Sequence, residues 1–354
     1  MKICVTGGTG FIGHWMCERL LADGHEVVLV DLWEPDWDLE SGSEYFFGDV
    51  RDKEAMLEAF KGCDAVFNLA AAHHDFGIDE ETFYAVNEHG SKMVCEAADE
   101  LGITDIVFYS TVAIFGDAPE PHTEDAPTSP INPYGASKLA GEKVFEQWAA
   151  QGGDRRVVVI RPTITFGPRN FANMYSLIRQ IDSGKYLNVG KGTNIKSLSY
   201  VENLVDLTVF IWNKPERKGV ETLNFIDKPD FSAHETAGAI YRSLDKRPPK
   251  IKAPLWFAVL FAGLPFDILI KLTGKNFPIS SMRLKKMCTQ TKFEAERVQA
   301  SGYSPVCSLE AGIDRMVKWY KAGGDVQEAV WRQPPKEIQR RSSCKPKKVE
   351  AALV

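Results

Sequence analysis

The sequence predicts an α/β protein in which a doubly wound parallel sheet is joined to a smaller C-terminal lobe. Three observations predict it. Apolar, β-branched runs alternate with amphipathic stretches through the first half, as βαβ units require. The turn after the first run is Thr6-Gly7-Gly8-Thr9-Gly10-Phe11-Ile12-Gly13, and an aspartate, Asp31, closes the second run.

Strands are expected at 2–6, 26–31, 44–48, 65–70, 105–110 and 156–162, with helices at 11–22, 53–60, 81–101 and 134–150. Right-handed crossovers wind these into a Rossmann-type domain over residues 1–168. After Pro168 the elements shorten: a helix at 173–183, a loop at 190–196, a helix at 201–212, a strand at 222–226 and a helix opening near Ser232. Residues 169–325 are therefore read as a substrate-binding lobe, with some elements returning to the sheet. From Gln333 onward Pro, Lys, Arg and Ser dominate without apolar periodicity, so 333–354 is expected to be a disordered basic tail.

With 44% hydrophobic and 25% charged residues, 28 Gly and 19 Pro, composition excludes a disordered chain, collagen and a disulfide scaffold. The net charge of −6 divides into +5 from Arg332 onward and −11 before it, and an acidic body argues against nucleic acid as a partner. Seven scattered cysteines without a C-x-x-C pair read as reduced thiols, and the N-terminus runs straight into the glycine turn without an apolar leader. A cytoplasmic protein is expected.

One stretch departs from the soluble pattern. Residues 253–270 (APLWFAVLFAGLPFDILI) carry a single charge, Asp267, yet include Pro254 and Pro265, so two short helices, buried or lying at a membrane interface, are expected rather than a span.

The glycine turn is a phosphate cradle. Gly7 makes the tight turn, Gly10 lets a pyrophosphate approach the backbone, and Gly13 brings the helix close to the sheet. The N–H groups that open the helix, at Phe11 and Ile12, then face the phosphates. Asp31 stands 18 residues beyond Gly13, where a carboxylate accepts from a ribose 2′-hydroxyl and repels a 2′-phosphate, which favours NAD over NADP. Asp49 suits the adenine amino group, with helix capping as its other reading.

Tyr134 and Lys138 stand at i and i+4, on one helix face, where an ammonium lowers a phenol's pKa and makes it a base for an alcohol. Ser110 and Thr111, at a strand end, offer hydroxyls to the reacting oxygen. His73-His74 with Asp75 lacks further ligand spacing, so no metal is expected.

The ordered set of the glycine turn, Asp31, Asp49-Val50, Asn68-Leu69-Ala70-Ala71, Val86-Asn87, Ser110-Thr111, Tyr134-x-x-x-Lys138 and Arg161-Pro162 resembles the extended short-chain dehydrogenase/reductases, in their NAD-dependent epimerase/dehydratase branch. The resemblance covers about residues 1–325. It implies that Thr111 is the hydroxyl helper, that Val50, Leu69, Ala70, Ala71, Asn87 and Pro162 line the cofactor, and that the protein is a homodimer through the Glu81 and Tyr134 helices.

Nucleotide-sugar epimerases carry an Asn three residues after that Arg, where it helps hold the diphosphate; here the position is Ile164. The second half instead resembles epimerases of N-acetylglucosamine linked through diphosphate to undecaprenol, in the runs 160–170, 189–205, 224–230, 266–275 and 280–293. That similarity implies C4 epimerisation by transient oxidation, in surface polysaccharide synthesis at the inner face of the cytoplasmic membrane. It implies substrate contacts at Asn170, Lys196 and Arg283. The apolar stretch would then meet the bilayer or the first isoprenes, with Lys271, Lys275, Lys285 and Lys286 beside anionic headgroups. The competing readings are a UDP-sugar 4-epimerase, a 3β-hydroxysteroid-type dehydrogenase and a non-enzymatic NAD-sensing protein.

Overall fold

The computed structural model describes the chain apart from residues 74–76, 216–217, 250–252, 274–280, 282–283, 285–287, 325–331, 341–346 and 349–354. Its strands are β1 (Lys2–Thr6), β2 (Glu26–Asp31), β3 (Ser43–Phe47), β4 (Ala65–Asn68), β5 (Asp105–Tyr109), β6 (Arg156–Pro162), β7 (Ile164–Phe166), β8 (Ile195–Lys196), β9 (Leu198–Tyr200), β10 (Gly219–Phe225), β11 (Phe231–Ser232) and β12 (Lys347–Lys348). Seven of them pair in parallel in the order β10-β6-β5-β4-β1-β2-β3, and β12 adds to β3 antiparallel. The chain steps outward from β1 to β3 and then crosses back to β4, on the other side of β1. That reversal opens a crevice at the carboxyl ends of the strands.

Alternation along each strand feeds two helical layers. Ile3 and Val5 of β1 join Met16 and Leu20 of α1 (Phe11–Ala22) in one core. Cys4 faces the other way, into the core of Met56 from α2 (Lys53–Ala59) and Phe145 from α5 (Pro133–Ala150). On this second face the predicted helix 81–101 is interrupted: α3 (Glu80–Tyr84) passes through a π turn, Ala85–His89, into α4 (Gly90–Leu101). The active-site helix α5 (Pro133–Ala150) packs on the turn because Gly141 admits it; a Cβ there would lie 2.6 Å from the Asn87 carbonyl oxygen.

Beyond β6, α6 (Asn173–Asp182), α8 (Ala233–Ser243) and the helix Leu309–Trp319 build a separate core around Ile178, Tyr200, Ile240 and Met316. A reciprocal Ser232–Glu235 capping box starts α8. The helix α7 (Val201–Trp212) lies between, and returns to the main sheet through Val205 and Trp212.

Two expectations need correction. Residues 255–273 form one helical run, not two short helices: α9 (Leu255–Ala258), a π turn Val259–Gly263 and α10 (Leu264–Thr273). The π turn precedes Pro265, and its wider ladder tolerates the missing N–H and the ring. This 19-residue run is long and apolar enough, by length and composition, to cross a membrane. It shows its side chains to the outside: Trp256 is 67% exposed, Phe261 62% and Leu272 77%.

The second correction concerns the tail. Residues 333–340, expected to be disordered, lie against the ends of β3 and β4, held by hydrogen bonds and ion pairs taken up below. Basic residues order here because acidic side chains of the body meet them. The six described cysteines are free thiols.

Candidate active site

A cavity of about 770 Å³ occupies the crevice. Its floor is the glycine turn. Gly7 adopts φ +69°, and a Cβ on it would stand 2.7 Å from the Ala70 nitrogen. A Cβ on Gly13 would stand 2.2 Å from the Gly7 carbonyl oxygen, so only glycine lets α1 close onto the turn. Gly10 caps α1 without a side chain, and Phe11, Ile12 and Gly13 line the cavity with the helix's opening N–H groups.

At one end Asp31 accepts the N–H of Thr9 at 3.2 Å and of Leu32 at 2.7 Å. Burial raises its pKa above the ordinary aspartate value, and those N–H groups hold it back. Val50 and the chain from Leu69 to Ala71 form the adjoining wall. Asp49 also lines the cavity, but its carboxylate is committed: Oδ1 accepts Arg51 N and Nε, and Oδ2 accepts Arg51 Nη2 and the Gln339 N–H. All of its lone-pair directions are used, so the expected adenine contact would have to share an oxygen.

At the other end α5 starts with Asn132, whose Oδ1 accepts the Gly135 N–H at 2.7 Å, and Pro133 occupies its first turn. Gly135 packs on the 3₁₀ turn Val112–Ile114, where a Cβ would lie 2.5 Å from the Ala113 carbonyl oxygen. The same turn is capped by Thr111, whose Oγ1 accepts the Ala113 N–H at 3.2 Å. One close packing thus fixes Thr111 and Tyr134 together on the cavity wall. Thr111 keeps its own proton to donate.

Lys138, one turn after Tyr134, is 1% exposed, with Nζ 4.1 Å from the Phe108 ring centre and no hydrogen-bond partner. Burial pushes its pKa down to about 7, against the charge of Glu142. Glu142 in turn holds Arg161 through two hydrogen bonds, at 2.9 and 2.7 Å, which clamps α5 to β6. The Ser110 hydroxyl is likewise buried without a partner. A buried ammonium and a buried hydroxyl, both on the cavity wall and both unsatisfied, fit a polar ligand that supplies hydroxyl groups to them. The glycine cradle and Asp31 fit the phosphates and ribose of the same dinucleotide.

Pro162 and Asn170 complete the wall near the lobe, and Ile164, 37% exposed, lies between them. Two expected contacts are not brought there. Asn87 is buried away from the cavity: it holds both backbone groups of Ala72 and donates to Ser137 Oγ at 2.9 Å. It braces the β4 loop against α5, because the π turn swings it beneath the wall. Lys196 sits on β8, beside the cavity residue Ser197 but not on the wall. Arg283, Lys275, Lys285 and Lys286, with His74 and Asp75, lie outside the described residues.

Sequence reasoning did not single out Ser197, Thr291 and Phe293, which β-bridging of Lys196 with Thr291 brings to the cavity. The last two lie in the run 280–293 that carried the narrower resemblance, a signal too diffuse to select them. Trp33, Arg332 and Pro334 also line the cavity and had no sequence signal. Among the described residues no cluster of three or more His, Cys, Asp or Glu side chains is placed to hold a metal.

Comparison with known proteins gives a consistent picture. The model of the NAD dependent epimerase/dehydratase family matches residues 3–225. The chain is 35% identical over 325 residues to the N-acetyl-alpha-D-glucosaminyl-diphospho-ditrans,octacis-undecaprenol 4-epimerase of Escherichia coli O157:H7, covering 90% of this chain and 95% of that protein. It is 26% identical over 330 residues to the decarboxylating sterol-4-alpha-carboxylate 3-dehydrogenase of Mus musculus, with 90% of each covered. The UDP-glucuronic acid 4-epimerase of Bacillus cereus, solved in complex with NAD, shares the fold, with a TM-score of 0.72 at 22% identity over 91% of this chain and 99% of that one.

Proposed function

The chain belongs to the NAD-dependent epimerase/dehydratase family, and from that premise we propose that it is a 4-epimerase of an N-acetylhexosamine carried on a polyprenyl diphosphate. Bound NAD supplies reversible hydride acceptance at the sugar's C4. The glycine turn and the first N–H groups of α1 would hold its diphosphate, Asp31 one ribose and Lys138 the other. Val50, Leu69 to Ala71 and Pro162 wall it in.

The chain's own groups move the proton. Tyr134, as phenolate, takes the proton from O4, and the Lys138 ammonium stabilises that phenolate. The Thr111 hydroxyl, its hydrogen uncommitted, donates a hydrogen bond to O4 and fixes the oxygen, with Ser110 beside it. After the keto sugar presents its other face, Tyr134 returns the proton. The reaction is redox-neutral over each cycle.

The observation that carries the lipid-linked reading is the exposed apolar run and its tie to the cavity. The chain just before α9 pairs with the lobe: Gly190 N–H donates to the Ala253 carbonyl at 2.9 Å, and Val189 bridges to Ala253. The same lobe segment reaches the cavity at Ser197, whose N–H donates to the Thr291 carbonyl at 2.9 Å. An isoprenoid leaving the sugar's diphosphate finds in Trp256, Phe261 and Leu272 an apolar surface, where each CH₂ removed from water contributes about 0.8 kcal/mol. The same surface suits peripheral contact with the inner face of the cytoplasmic membrane. Ile164 on the wall, in place of a diphosphate-holding amide, also turns the reading from UDP-sugars. A role in surface polysaccharide synthesis and a homodimer through α3, α4 and α5 follow from the same reading; sedimentation checks the dimer.

The test is a paired assay with UDP-GlcNAc and GlcNAc-diphospho-undecaprenol. Interconversion of the lipid-linked sugar to its C4 epimer, without net NADH, is expected. Turnover of the UDP-sugar alone overturns the lipid-linked reading, and NADH accumulating with a sterol substrate identifies a dehydrogenase instead.

A further inference from the structure

The adenosine end of the cavity is closed by a part of the chain 280 or more residues away. Arg51, 3% exposed, follows β3 and grips Asp49 with Nε and Nη2. Nη1 donates to the Lys336 carbonyl at 3.0 Å, and the second Nη2 N–H is shared between the Pro335 and Glu337 carbonyls at 3.0 and 3.1 Å. A buried guanidinium deprived of those acceptors is costly, so the tail is no loose passenger.

The segment then spans the crevice. On the β3 side, Gln339 N–H donates to Asp49 Oδ2 at 3.1 Å and Arg340 pairs with Asp52 at 2.7 Å. On the β4 side, Lys336 pairs with Asp79 at 3.0 Å and reaches Glu81 at 3.5 Å, and Gln333 packs so closely on Gly77 that a Cβ there would lie 2.7 Å from it. At the start of the segment, ahead of Lys336, Arg332 and Pro334 form part of the cavity wall. In this fold the adenosine half of a dinucleotide lies beyond the ends of β2 and β3, beneath this span.

We propose that residues 332–340 are a working part of the cofactor site: a strap, pinned by Arg51 on one side and Lys336 on the other, that retains NAD between turnovers. A redox-neutral epimerase has no need to exchange NAD, so a wall that slows release costs it no turnover; a dehydrogenase would be throttled by the same wall. The inference therefore rests on the epimerase reading and adds to it. The Asp49 carboxylate, shared by Arg51 and Gln339, makes tail and cofactor report on each other, and linkage requires that NAD hold the tail as the tail holds NAD.

The test measures release of radiolabelled NAD from the loaded protein after a chase with excess unlabelled NAD. Three forms are compared: the full chain, a chain ending at residue 331, and the full-length double variant Lys336→Glu/Arg340→Glu. The last places acids beside Asp79, Glu81 and Asp52 while leaving the core intact. Release at least tenfold faster from the chain ending at 331 is expected; a smaller increase overturns the strap. If that chain does not fold, the same threshold applied to the double variant decides. A full chain that holds no NAD overturns the cofactor reading together with the strap, whereas a full chain that holds it and variants that release it no faster overturn the strap alone.

Discussion

The two ends of the cavity are built on opposite principles. At the adenosine end the charged groups described are spoken for: Asp31 by Thr9 and Leu32, Asp49 by Arg51 and Gln339, Arg51 by the tail. At the reacting end Lys138 Nζ and Ser110 Oγ are buried with no partner, although burial without hydrogen bonds destabilises a fold. Satisfied groups hold a ligand in place without needing it. Unsatisfied groups gain a partner only when a ligand arrives, and that is the end to which the proposed mechanism assigns the chemistry.

The largest expected effect breaks the reacting end alone. Tyr134→Phe should lower turnover by roughly 10²- to 10⁴-fold, the usual worth of a positioned proton carrier, while NAD content stays at the wild-type level. A variant that keeps its turnover would remove Tyr134 from the mechanism.

Lys138→Met sharpens the comparison, because it trades function against stability. Turnover should fall about 10²-fold. The NAD-free variant should also melt at a higher temperature than the parent, since it no longer buries an unpaired amine. The sign with pH follows from the lowered pKa. Between pH 7 and the ordinary lysine value the unfolded chain binds a proton that the folded chain does not, so the parent gains stability as pH rises through that window. The variant's advantage should therefore be greatest below pH 7 and shrink toward pH 10; melting curves across that range check it.

A smaller effect concerns the apolar run. Phe261→Ser together with Leu272→Ser removes two exposed side chains from the surface assigned to the isoprenoid, and kcat/KM for the lipid-linked sugar should drop about tenfold. The same pair should leave turnover of a short-chain, water-soluble analogue unchanged. Equal losses on both substrates would mean that the run serves the fold rather than the lipid.

The smallest is Ile164→Asn, which puts a hydrogen-bonding amide on the wall between Pro162 and Asn170. One added hydrogen bond to a diphosphate should improve KM for UDP-GlcNAc by about three- to tenfold. No change would show that this position does not read the diphosphate.

Much of this was legible in the residues. The glycine turn, Asp31 and the Tyr134–Lys138 pair announced themselves because each depends on neighbours within a strand, a turn or one helical face, and local geometry follows local sequence. The first strand and first helix start and stop where the periodicity places them, at Lys2–Thr6 and Phe11–Ala22. Asn87 misled for the complementary reason. It sits in a motif beside the cofactor wall, yet a π turn that no periodicity announces carries its amide behind the wall to Ala72 and Ser137. In the apolar run Pro265 signals a break between two helices, whereas a widened turn absorbs it.

What the sequence by itself determined is the inventory of groups: a glycine turn opening a helix, a carboxylate at a strand end, a phenol and an amine on one helix face, and an apolar stretch without an evident core partner. Those are properties of residue type and of spacings shorter than a few turns. Only the tertiary structure decided which of these groups are satisfied, because that depends on chain segments that meet across the fold. Arg51 finds the carbonyl of Lys336 from 285 residues away, so a basic, proline-rich tail that composition marks as disordered becomes the roof of the adenosine end. Lys138 finds no acceptor at all, and burial turns an ordinary lysine into one whose proton is shed near neutral pH.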